Sequence, residues 1–322
     1  MNSIKRQTVL FLILVSAMIM SMTVFAEIEP NNTQSSAQGI SFGSVVSGTL
    51  VDDDVDVYRI RLVKGNLYKF IFKENKNVDW NDEGTLIASI CEDGESYGTS
   101  IYDSPCPASS LFQAEYTGNY YIKIWNGIND KYSFSIQSYN PRGKVAKDDN
   151  ENTYRILSGS TVEFTRLASK TSRAYFPETV NFDSIGGISC IGFPQFTITS
   201  IGNYACANWK TLRSLSLGRG VNHIGKGAFQ GCTALGTEKY IMGLVIRGKN
   251  VKIEKNAFYG CKKLGTIRIL NGASIASVGK NAFKKTKKKI RIEVPSVKKY
   301  KKKFKKAGFK KPRYSKSYLS VW

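Results

Sequence analysis

Between Ile201 and Phe283, one short sequence phrase recurs four times. Its copies are residues 201–206 (IGNYAC), 224–229 (IGKGAF), 253–258 (IEKNAF) and 278–283 (VGKNAF). The alanines of these copies lie 23, 29 and 25 residues apart. Repetition at this period is typical of a solenoid, in which each unit buries its apolar face against the next unit.

The segments between the copies predict strands. Residues 212–217 (LRSLSL) and 264–269 (LGTIRI) alternate between apolar and polar side chains, as a strand with one buried face does. The Ala-Phe segment predicts a turn or 3₁₀ segment that closes each coil, with Ala in a narrow interior and Phe between coils. We therefore expect one strand and one bend per unit, with the strands aligned as a parallel sheet.

The pattern I-G-x-x-A-F-x-G-C-x-x-L, followed by a short strand, resembles the BspA-like leucine-rich repeats of bacterial surface and secreted proteins. The two middle copies match this pattern closely, including Cys232 and Cys261. The outer copies depart from it, with Cys206 at the Phe position and with Trp209 and Thr286 at the Cys position. Terminal repeats of a solenoid are expected to be atypical.

The charge of the chain is divided between two regions. The 322 residues carry a net charge of +22. Residues 27–139 contain 8 basic and 16 acidic side chains, whereas residues 140–322 contain 37 basic and 9 acidic ones. This asymmetry predicts two modules with different partners.

Residues 1–26 have the pattern of a signal peptide. Lys5 and Arg6 precede an apolar core at 9–20, and Val24-Phe25-Ala26 fits a cleavage site. The alternative is an uncleaved anchor helix. No second apolar run is long enough to span a bilayer, so we expect a secreted or cell-surface protein without a transmembrane segment in its mature chain.

Residues 27–139 predict a β-sandwich, because several short alternating segments are separated by Gly and Asn turns. Their order, with E-x-E-x-N-N, a G-T-L strand, an acidic D-x-D-x-Y strand and a final G-N-Y-Y-I, resembles the bacterial pre-peptidase C-terminal domain. That resemblance implies a jelly-roll-like module of the kind found on secreted proteases, although no protease domain accompanies it here.

The same resemblance implies a calcium site. In the collagen-binding relatives, the N-terminal acidic segment and an acidic loop coordinate Ca²⁺, a cation that takes six to eight oxygen ligands. The alternative is a solvated acidic turn. Carried over to this chain, the predicted ligands are Glu27, Glu29, Asn31, Asn32, Asp53, Asp54 and Asp56.

Residues 140–322 divide into three further parts. Residues 140–152 have the composition of a flexible linker, and 153–294 should form the solenoid with a degenerate N-terminal cap. In 295–322, the spacing of Val297, Tyr300, Phe304 and Ala307 predicts a basic capping helix with Ser296 as its N-cap. Its lysines either face water or bind an anionic surface such as a cell-wall polymer; they are Lys298, Lys299, Lys301, Lys302, Lys303, Lys305 and Lys306.

The cysteines and the single histidine predict little chemistry. Cys91 and Cys106 lie in the β-sandwich and are candidates for a disulfide, whereas Cys190 has no evident mate. His223 is placed by the pattern at a connector position, where an exposed side chain is expected. Metal-site spacings and catalytic motifs such as G-x-S-x-G are absent from the sequence, which favours a non-enzyme.

The sequence therefore predicts an exported, mainly β protein that binds protein or glycan ligands through its solenoid. The alternatives are an accessory matrix- or polysaccharide-binding module of secreted hydrolases, and a protein held on the wall by its basic tail. Nucleic acid is an unsuitable partner for an exported chain whose tail has no recognition motif. The predicted ligand contacts are outward residues of the repeat strands, namely Arg213, Ser214, Ser216, Thr266 and Arg268.

Overall fold

The computed structural model describes residues 24–51, 54–74, 86–94, 98–102, 108–126, 130–237 and 243–316. Strands dominate this part of the chain, which confirms the mainly β fold class. The chain forms two compact units, one from residues up to 64 with 68–139, and one from 65–67 with residues from 140 onward.

The first unit is a sandwich of two sheets. Their orders are β1-β3-β10-β5-β8 and β2-β4-β9-β6-β7. Its strands are β1 (Val24–Ala26), β2 (Gln38–Gly39), β3 (Val45–Leu50), β4 (Val55–Leu62), β5 (Leu67–Glu74), β6 (Ile87–Glu92), β7 (Thr99–Tyr102), β8 (Ala108–Gln113), β9 (Gly118–Trp125) and β10 (Asp130–Tyr139).

Aromatic rings join the two sheets of this sandwich. Tyr58 from β4 and Phe134 from β10 meet edge to face with centroids 5.1 Å apart, and Phe70 stacks on Phe134 at 5.5 Å. On β4 the buried residues Tyr58, Ile60 and Leu62 alternate with exposed arginines. This alternation is the period-two pattern that places one strand face in the core.

The predicted signal peptide falls almost entirely outside the described residues. Its last three residues form β1, which pairs in parallel with β3 from Val45 to Ser47. Cleavage after Ala26 would remove this short strand.

The second unit is a solenoid in which most coils add one parallel strand to each of two sheets, and the first strands of one of these sheets pair antiparallel. The sheet orders are β11-β12-β13-β18-β20-β22-β24, hereafter the ladder sheet, and β14-β19-β21-β23-β25-β26, hereafter the binding sheet because most of the ligand contacts predicted from the sequence fall on its strands. The strands are β11 (Val145–Lys147), β12 (Thr153–Ser158), β13 (Thr161–Arg166), β14 (Arg173–Tyr175), β15 (Thr179–Asn181), β16 (Ser184–Ile185), β17 (Ile188–Ile191), β18 (Gln195–Ile201), β19 (Ser214–Ser216), β20 (His223–Ile224), β21 (Leu244–Ile246), β22 (Val251–Ile253), β23 (Thr266–Ile269), β24 (Ile275–Val278), β25 (Lys289–Val294) and β26 (Lys311–Lys316).

The repeated phrase forms turns, and backbone geometry explains its Gly and Asn residues. The residue before each repeat alanine has a positive φ, for example 60° at Asn256 and 59° at Asn281. The third residue after the alanine is also left-handed, with φ of 76° at both Gly231 and Gly260. Only Gly, and to a lesser degree Asn, adopts this conformation without steric cost.

The phenylalanines of the repeats form a continuous buried stack. Phe229 and Phe258 lie 5.2 Å apart, and Phe258 and Phe283 lie 5.1 Å apart, with nearly parallel rings. All three rings are fully buried. The backbone N–H of each donates to an alanine carbonyl of the next coil, as from Phe258 to Ala282 at 2.7 Å. Side-chain stacking and backbone pairing therefore fix the same register between coils.

The predicted flexible linker at 140–152 is wrong in part. Val145–Lys147 is a strand antiparallel to β12, within the second unit. Asp148 orders the turn that follows, because its carboxylate accepts from the backbone N–H groups of Asn150 and Asn152 and from the Tyr154 hydroxyl. An acidic, polar segment is here a hydrogen-bonded hairpin.

The basic C-terminus contains the predicted helix in a shorter form. Helix α1 covers Val297–Lys303, with Ser296 at the N-cap position but without a side-chain capping bond. The predicted apolar face is buried at Tyr300, Phe304 and Ala307. Ala307 lies 25 residues after Ala282 and accepts from the Phe283 N–H, so the end of the helix occupies the place of a fifth repeat. Strand β26 then extends the binding sheet beyond β25.

Candidate functional site

Three of the predicted calcium ligands meet in the first unit. Carboxylate oxygens of Glu27, Glu29 and Asp56 lie within 4.8 Å of one another. Glu27 follows β1, and both of its oxygens accept from the Thr49 N–H at 3.0 and 3.1 Å. Burial raises the pKa of Glu27, and the Glu29 charge adds to this shift. Burial and the repulsion between neighbouring carboxylates therefore disfavour the ionised form of Glu27 in this cluster.

Asp56 is the most strongly perturbed acid of this cluster. It is fully buried, and its Oδ2 accepts from the Tyr132 hydroxyl at 2.5 Å, which in turn accepts from Tyr58 at 2.5 Å. Burial, with the charge of Glu27 adding to it, raises the pKa of Asp56 to about 7 in spite of the Tyr132 hydrogen bond. An ion bound here would replace the proton as the partner of this carboxylate.

Further polar atoms near the acidic segment support a hard-cation fit. Asn31 is fully buried, and its side-chain oxygen and nitrogen have no hydrogen-bond partner in the described part of the chain. The Oδ1 of Asp56 has none either. Buried polar groups are normally paired, so such atoms call for a ligand or water. The three clustered carboxylates fit Ca²⁺, which is bound by oxygens, and Asn31 lies beside them because its backbone N–H donates to Glu29 at 3.1 Å.

Gly48 allows this close approach, and no pattern in the sequence indicated its role. A Cβ at Gly48 would collide with the Glu27 carboxylate and the Tyr132 hydroxyl. The other predicted ligands are placed differently. Asn32 donates to Asp54 at 2.7 Å, so these two side chains partner each other. Asp53 lies outside the described residues.

The predicted ligand contacts lie on or beside the binding sheet. Ser216 and Arg268 share one row across its strands, and Thr266 lies in the adjacent row. Arg213 is exposed but precedes β19, while Ser214 is only 4% exposed. Ser214 lies in register beside the long side chain of Arg173 and is a poor ligand contact. Three predicted contacts thus remain on the outward face.

The ladder sheet carries a row of polar residues that the sequence analysis did not connect. One residue per strand lies in register across six strands: Arg155, Glu163, Ser200, His223, Lys252 and Ser277. Hydrogen bonds connect the side chains of this row. Arg155 and Ser200 both donate to the Glu163 carboxylate, Ser200 at 3.3 Å, and the Ser200 hydroxyl also bonds to His223 Nδ1 at 2.9 Å. Glu254 adds contacts to His223 Nε2 at 3.5 Å and to Lys252 at 2.7 Å.

This row places a serine, a histidine and a glutamate side by side, but its hydrogen bonds are structural. Ser200 is 5% exposed, so its hydroxyl is closed to a substrate. It also has one proton and two neighbours, the Glu163 carboxylate and the imidazole. A serine that donates to Glu163 must accept from His223, and a base that donates to its serine cannot deprotonate it. His223 is half-buried within a strand, whereas the sequence predicted an exposed connector.

The predicted anionic-surface lysines are mostly exposed around α1. Lys298, Lys299, Lys301 and Lys302 are exposed, whereas Lys303 donates to the Ala276 carbonyl at 2.9 Å. Lys305 and Lys306, which follow the helix, are exposed as well.

The cysteines of the repeats are buried. Cys206, Cys232 and Cys261 are at most 3% exposed, and burial raises the pKa of Cys206 and Cys261 well above the ordinary value. Burial also raises the pKa of Cys190, to about 12. Cys106 lies outside the described residues, so its pairing with Cys91 stays a prediction.

Comparison with known proteins identifies the repeats. Residues 238–311 match the family described as the BspA type leucine rich repeat region, in six copies. No curated protein matches the chain. In the described residues no helix is long and apolar enough to cross a membrane.

Two solved structures are similar to parts of the chain. One is the pre-peptidase C-terminal domain of a collagenase from Bacillus anthracis, with 17% identity and a TM-score of 0.26, over 31% of this chain and 94% of that one. The other is PliG, a periplasmic inhibitor of g-type lysozyme from Aeromonas hydrophila, with 10% identity and a TM-score of 0.24, over 36% and 98%. On the evidence of its sequence match and its stacked turns, residues 238–311 of this chain are a BspA-type leucine-rich repeat region.

Proposed function

We propose that this protein is an exported, non-enzymatic binding protein of the bacterial surface, which recognises a protein or glycan ligand through the outward face of its binding sheet. BspA-type repeats are typical of bacterial surface proteins, and leucine-rich repeats are typically binding modules rather than catalysts. The observation that carries the proposal is the binding sheet itself. Its six parallel strands present rows of polar side chains on a rigid scaffold.

A comparison of the two sheets of the solenoid tests this role. The mature protein is applied to immobilised extracellular matrix proteins and to glycan arrays, beside an Arg268→Ala/Thr266→Ala variant and a Lys252→Ala/Ser277→Ala variant. We expect loss of binding with the binding-sheet variant and retention with the ladder-sheet variant. Equal retention by both variants, or absence of the protein from the surface of producer cells, would contradict the proposal.

We also propose that Ca²⁺ occupies the acidic cluster and stabilises the first unit. The three clustered carboxylates and the unpartnered atoms of Asn31 and Asp56 support this. Titration of the chelated protein with Ca²⁺, monitored by thermal unfolding, should raise the melting temperature in native protein and not in a Glu27→Gln/Asp56→Asn variant. Equal melting temperatures with and without Ca²⁺ in the native protein would refute the site.

The wall-anchor alternative is better tested by removing charge than by deleting the basic C-terminus, because a deletion would also remove the cap of the solenoid. Tyr300, Phe304 and Ala307 cover the last repeat, and a chain ending at Phe283 would expose its aromatic stack. Replacement of the exposed lysines of α1 by glutamine keeps the cap and removes the charge. Loss of retention on producer cells in that variant would favour the anchor.

A further inference from the structure

We infer that the C-terminal end of the binding sheet holds a built site for the sulfate or phosphate groups of an anionic glycan. This inference rests on the proposed binding role of that sheet and names the ligand class. The site is a hollow of about 330 Å³, here called the basic pocket. Its lining residues are Gly236, Lys263, Gly265, Thr266, Lys287, Lys289, Ile290, Arg291 and Arg313.

Strand pairing brings the pocket residues together. Thr266, Arg291 and Arg313 lie in register on β23, β25 and β26 and form one outward row. Adjacent strands are about 4.8 Å apart, so this row spans about 10 Å. Lys263 and Lys287 belong to the segments that precede β23 and β25. Because strands and tight turns fix these positions, the pocket is largely pre-formed.

Among the described residues, no acidic side chain that lines the pocket neutralises its charge. Five of its lining residues are cationic, and none of the described lining residues is acidic. Glu293 is the acid in the adjacent row, and Arg268 already binds it at 2.5 Å, whereas Arg291 approaches it only to 3.9 Å. Like charges that converge on one hollow disfavour the free state. An oxyanion would relieve that repulsion.

The chemistry of the lining suits the sulfate and phosphate groups of a glycan, because five cations converge on one hollow. Two arginines offer planar forks that match sulfate and phosphate bidentately, and lysines add point charges. Gly265 leaves the floor of the pocket open, since a Cβ there would lie 3.1 Å from the Lys287 side chain. The hollow is at the lower end of the range for ligand pockets, about 300–1,000 Å³, which suits one or two sugar units.

The rest of the sheet indicates a linear ligand. Tyr175 is 74% exposed on β14, at the far end of the same sheet. Ser216, Val245 and Arg268 lie between Tyr175 and the pocket in one row. A glycan chain whose charged groups bind in the pocket can therefore extend along this row to the exposed ring of Tyr175.

A wider hollow of about 570 Å³ along α1 provides the matched control. It is lined by Ser296, Lys298, Lys299, Lys302 and Lys303. It has no arginine, and Lys303 is already bonded to Ala276. If the net charge alone attracts glycans, this hollow should contribute as much as the basic pocket.

The test measures binding of the full mature chain to defined oligosaccharides by calorimetry at physiological salt. The probes are a heparin tetrasaccharide, a glycerol-phosphate oligomer and an unsulfated hyaluronan oligomer. The pocket variant is Lys263→Gln/Lys287→Gln/Arg313→Gln, and the control variant, matched in charge, is Lys298→Gln/Lys299→Gln/Lys302→Gln. Removal of like charges from exposed positions should leave the fold intact and not lower the melting temperature.

We expect the pocket variant to lose at least ~10-fold in affinity, about one charge-assisted hydrogen bond, and the control variant less than ~3-fold. Preference for heparin identifies sulfate as the recognised group, and preference for the glycerol-phosphate oligomer identifies phosphate. Equal losses in both variants, equal affinity for hyaluronan, or no binding by the native protein would overturn the inference. Pocket-independent binding to matrix proteins would overturn it while leaving the proposed function intact.

Discussion

Replacement of Phe258 by alanine tests whether the solenoid is held together by its aromatic stack. Phe258 is fully buried and lies between Phe229 at 5.2 Å and Phe283 at 5.1 Å. A Phe→Ala change in a core costs about 3–5 kcal/mol. Of this, the two ring pairs account for about 1–3 kcal/mol, since each contributes about 0.5–1.5 kcal/mol beyond its buried area.

Two further variants divide that cost. Phe258→Leu keeps most of the apolar volume and loses only the ring pairs, so we expect a loss of about 1–3 kcal/mol. Phe309→Ala removes a half-buried ring that stacks on Phe283 at 5.1 Å at the end of the array, and should cost about 1–2 kcal/mol.

The assay is urea unfolding of the full chain with pulsed hydrogen exchange, read by mass spectrometry on peptides from the solenoid. In a solenoid, stability is a sum of unit and interface terms, so a central defect should also lower protection in the neighbouring coils. We expect faster exchange at the amides of both Phe229 and Phe283 in Phe258→Ala. A cost no larger than that of Phe309→Ala, or a loss of protection confined to the mutated coil, would show that the aromatic stack does not hold the coils together.

Three other predictions concern the polar sites. Gly48→Ala should abolish the stabilisation of the first unit by Ca²⁺, because its methyl group displaces the Glu27 carboxylate; thermal unfolding with and without Ca²⁺ measures this. In a chelator, the free energy of unfolding of the first unit should fall from about pH 4 to about pH 7, because the raised pKa of Asp56 makes the folded state bind a proton that the unfolded state has released. His223→Phe should destabilise the second unit by about 1–3 kcal/mol in urea unfolding, since Ser200 and Glu254 lose a half-buried hydrogen-bond partner.

Each of these predictions has a control. Gly39→Ala has room for its methyl group, with Arg59 Nη2 as the nearest atom at 4.0 Å, and should keep the response to Ca²⁺. Asp56→Asn should remove most of the pH dependence, and an unchanged slope would assign it to another group. Lys252→Gln, which breaks a largely exposed ion pair, should cost no more than about 1 kcal/mol. A cost equal to that of His223→Phe would contradict a stabilising role for the hydrogen bonds of His223.

Local patterns in the sequence predicted the repeats correctly. The alternation in 264–269 became β23, and the Ala-Phe phrases became the turns with stacked rings. The family match confirms the repeat resemblance. These features succeed because each depends on residues close in the chain, on periodicity and on the left-handed turn positions.

Composition misled where a few long-range bonds decide the structure. Residues 145–147 read as linker, yet they pair with β12, and the single carboxylate of Asp148 orders the turn between the strands. The helix in the basic tail ends earlier than its apolar spacing allowed, because Ala307 takes the place of a repeat alanine beside Phe283. Amino-acid composition does not specify which acceptor a backbone N–H group will hydrogen-bond.

The acidic cluster and the polar row of the ladder sheet also differ in how far the sequence could predict them. The acidic cluster was expected from a resemblance, but its geometry depends on Gly48 and Tyr132, which come from other strands. The row of polar residues on the ladder sheet was detectable in the sequence. Ser200, His223, Lys252 and Ser277 each lie five residues before a repeat alanine, so alignment of the repeats places them in one row.

Among the described residues, strand β26 lies at the edge of the binding sheet. An edge strand offers backbone N–H and C=O groups to any other chain. Pro312 has no N–H to donate, and Lys311, Arg313 and Lys316 place positive charge along the same edge. A second copy of this basic region would therefore meet repulsion and a missing hydrogen bond at the place where fibre-like growth of the sheet would begin.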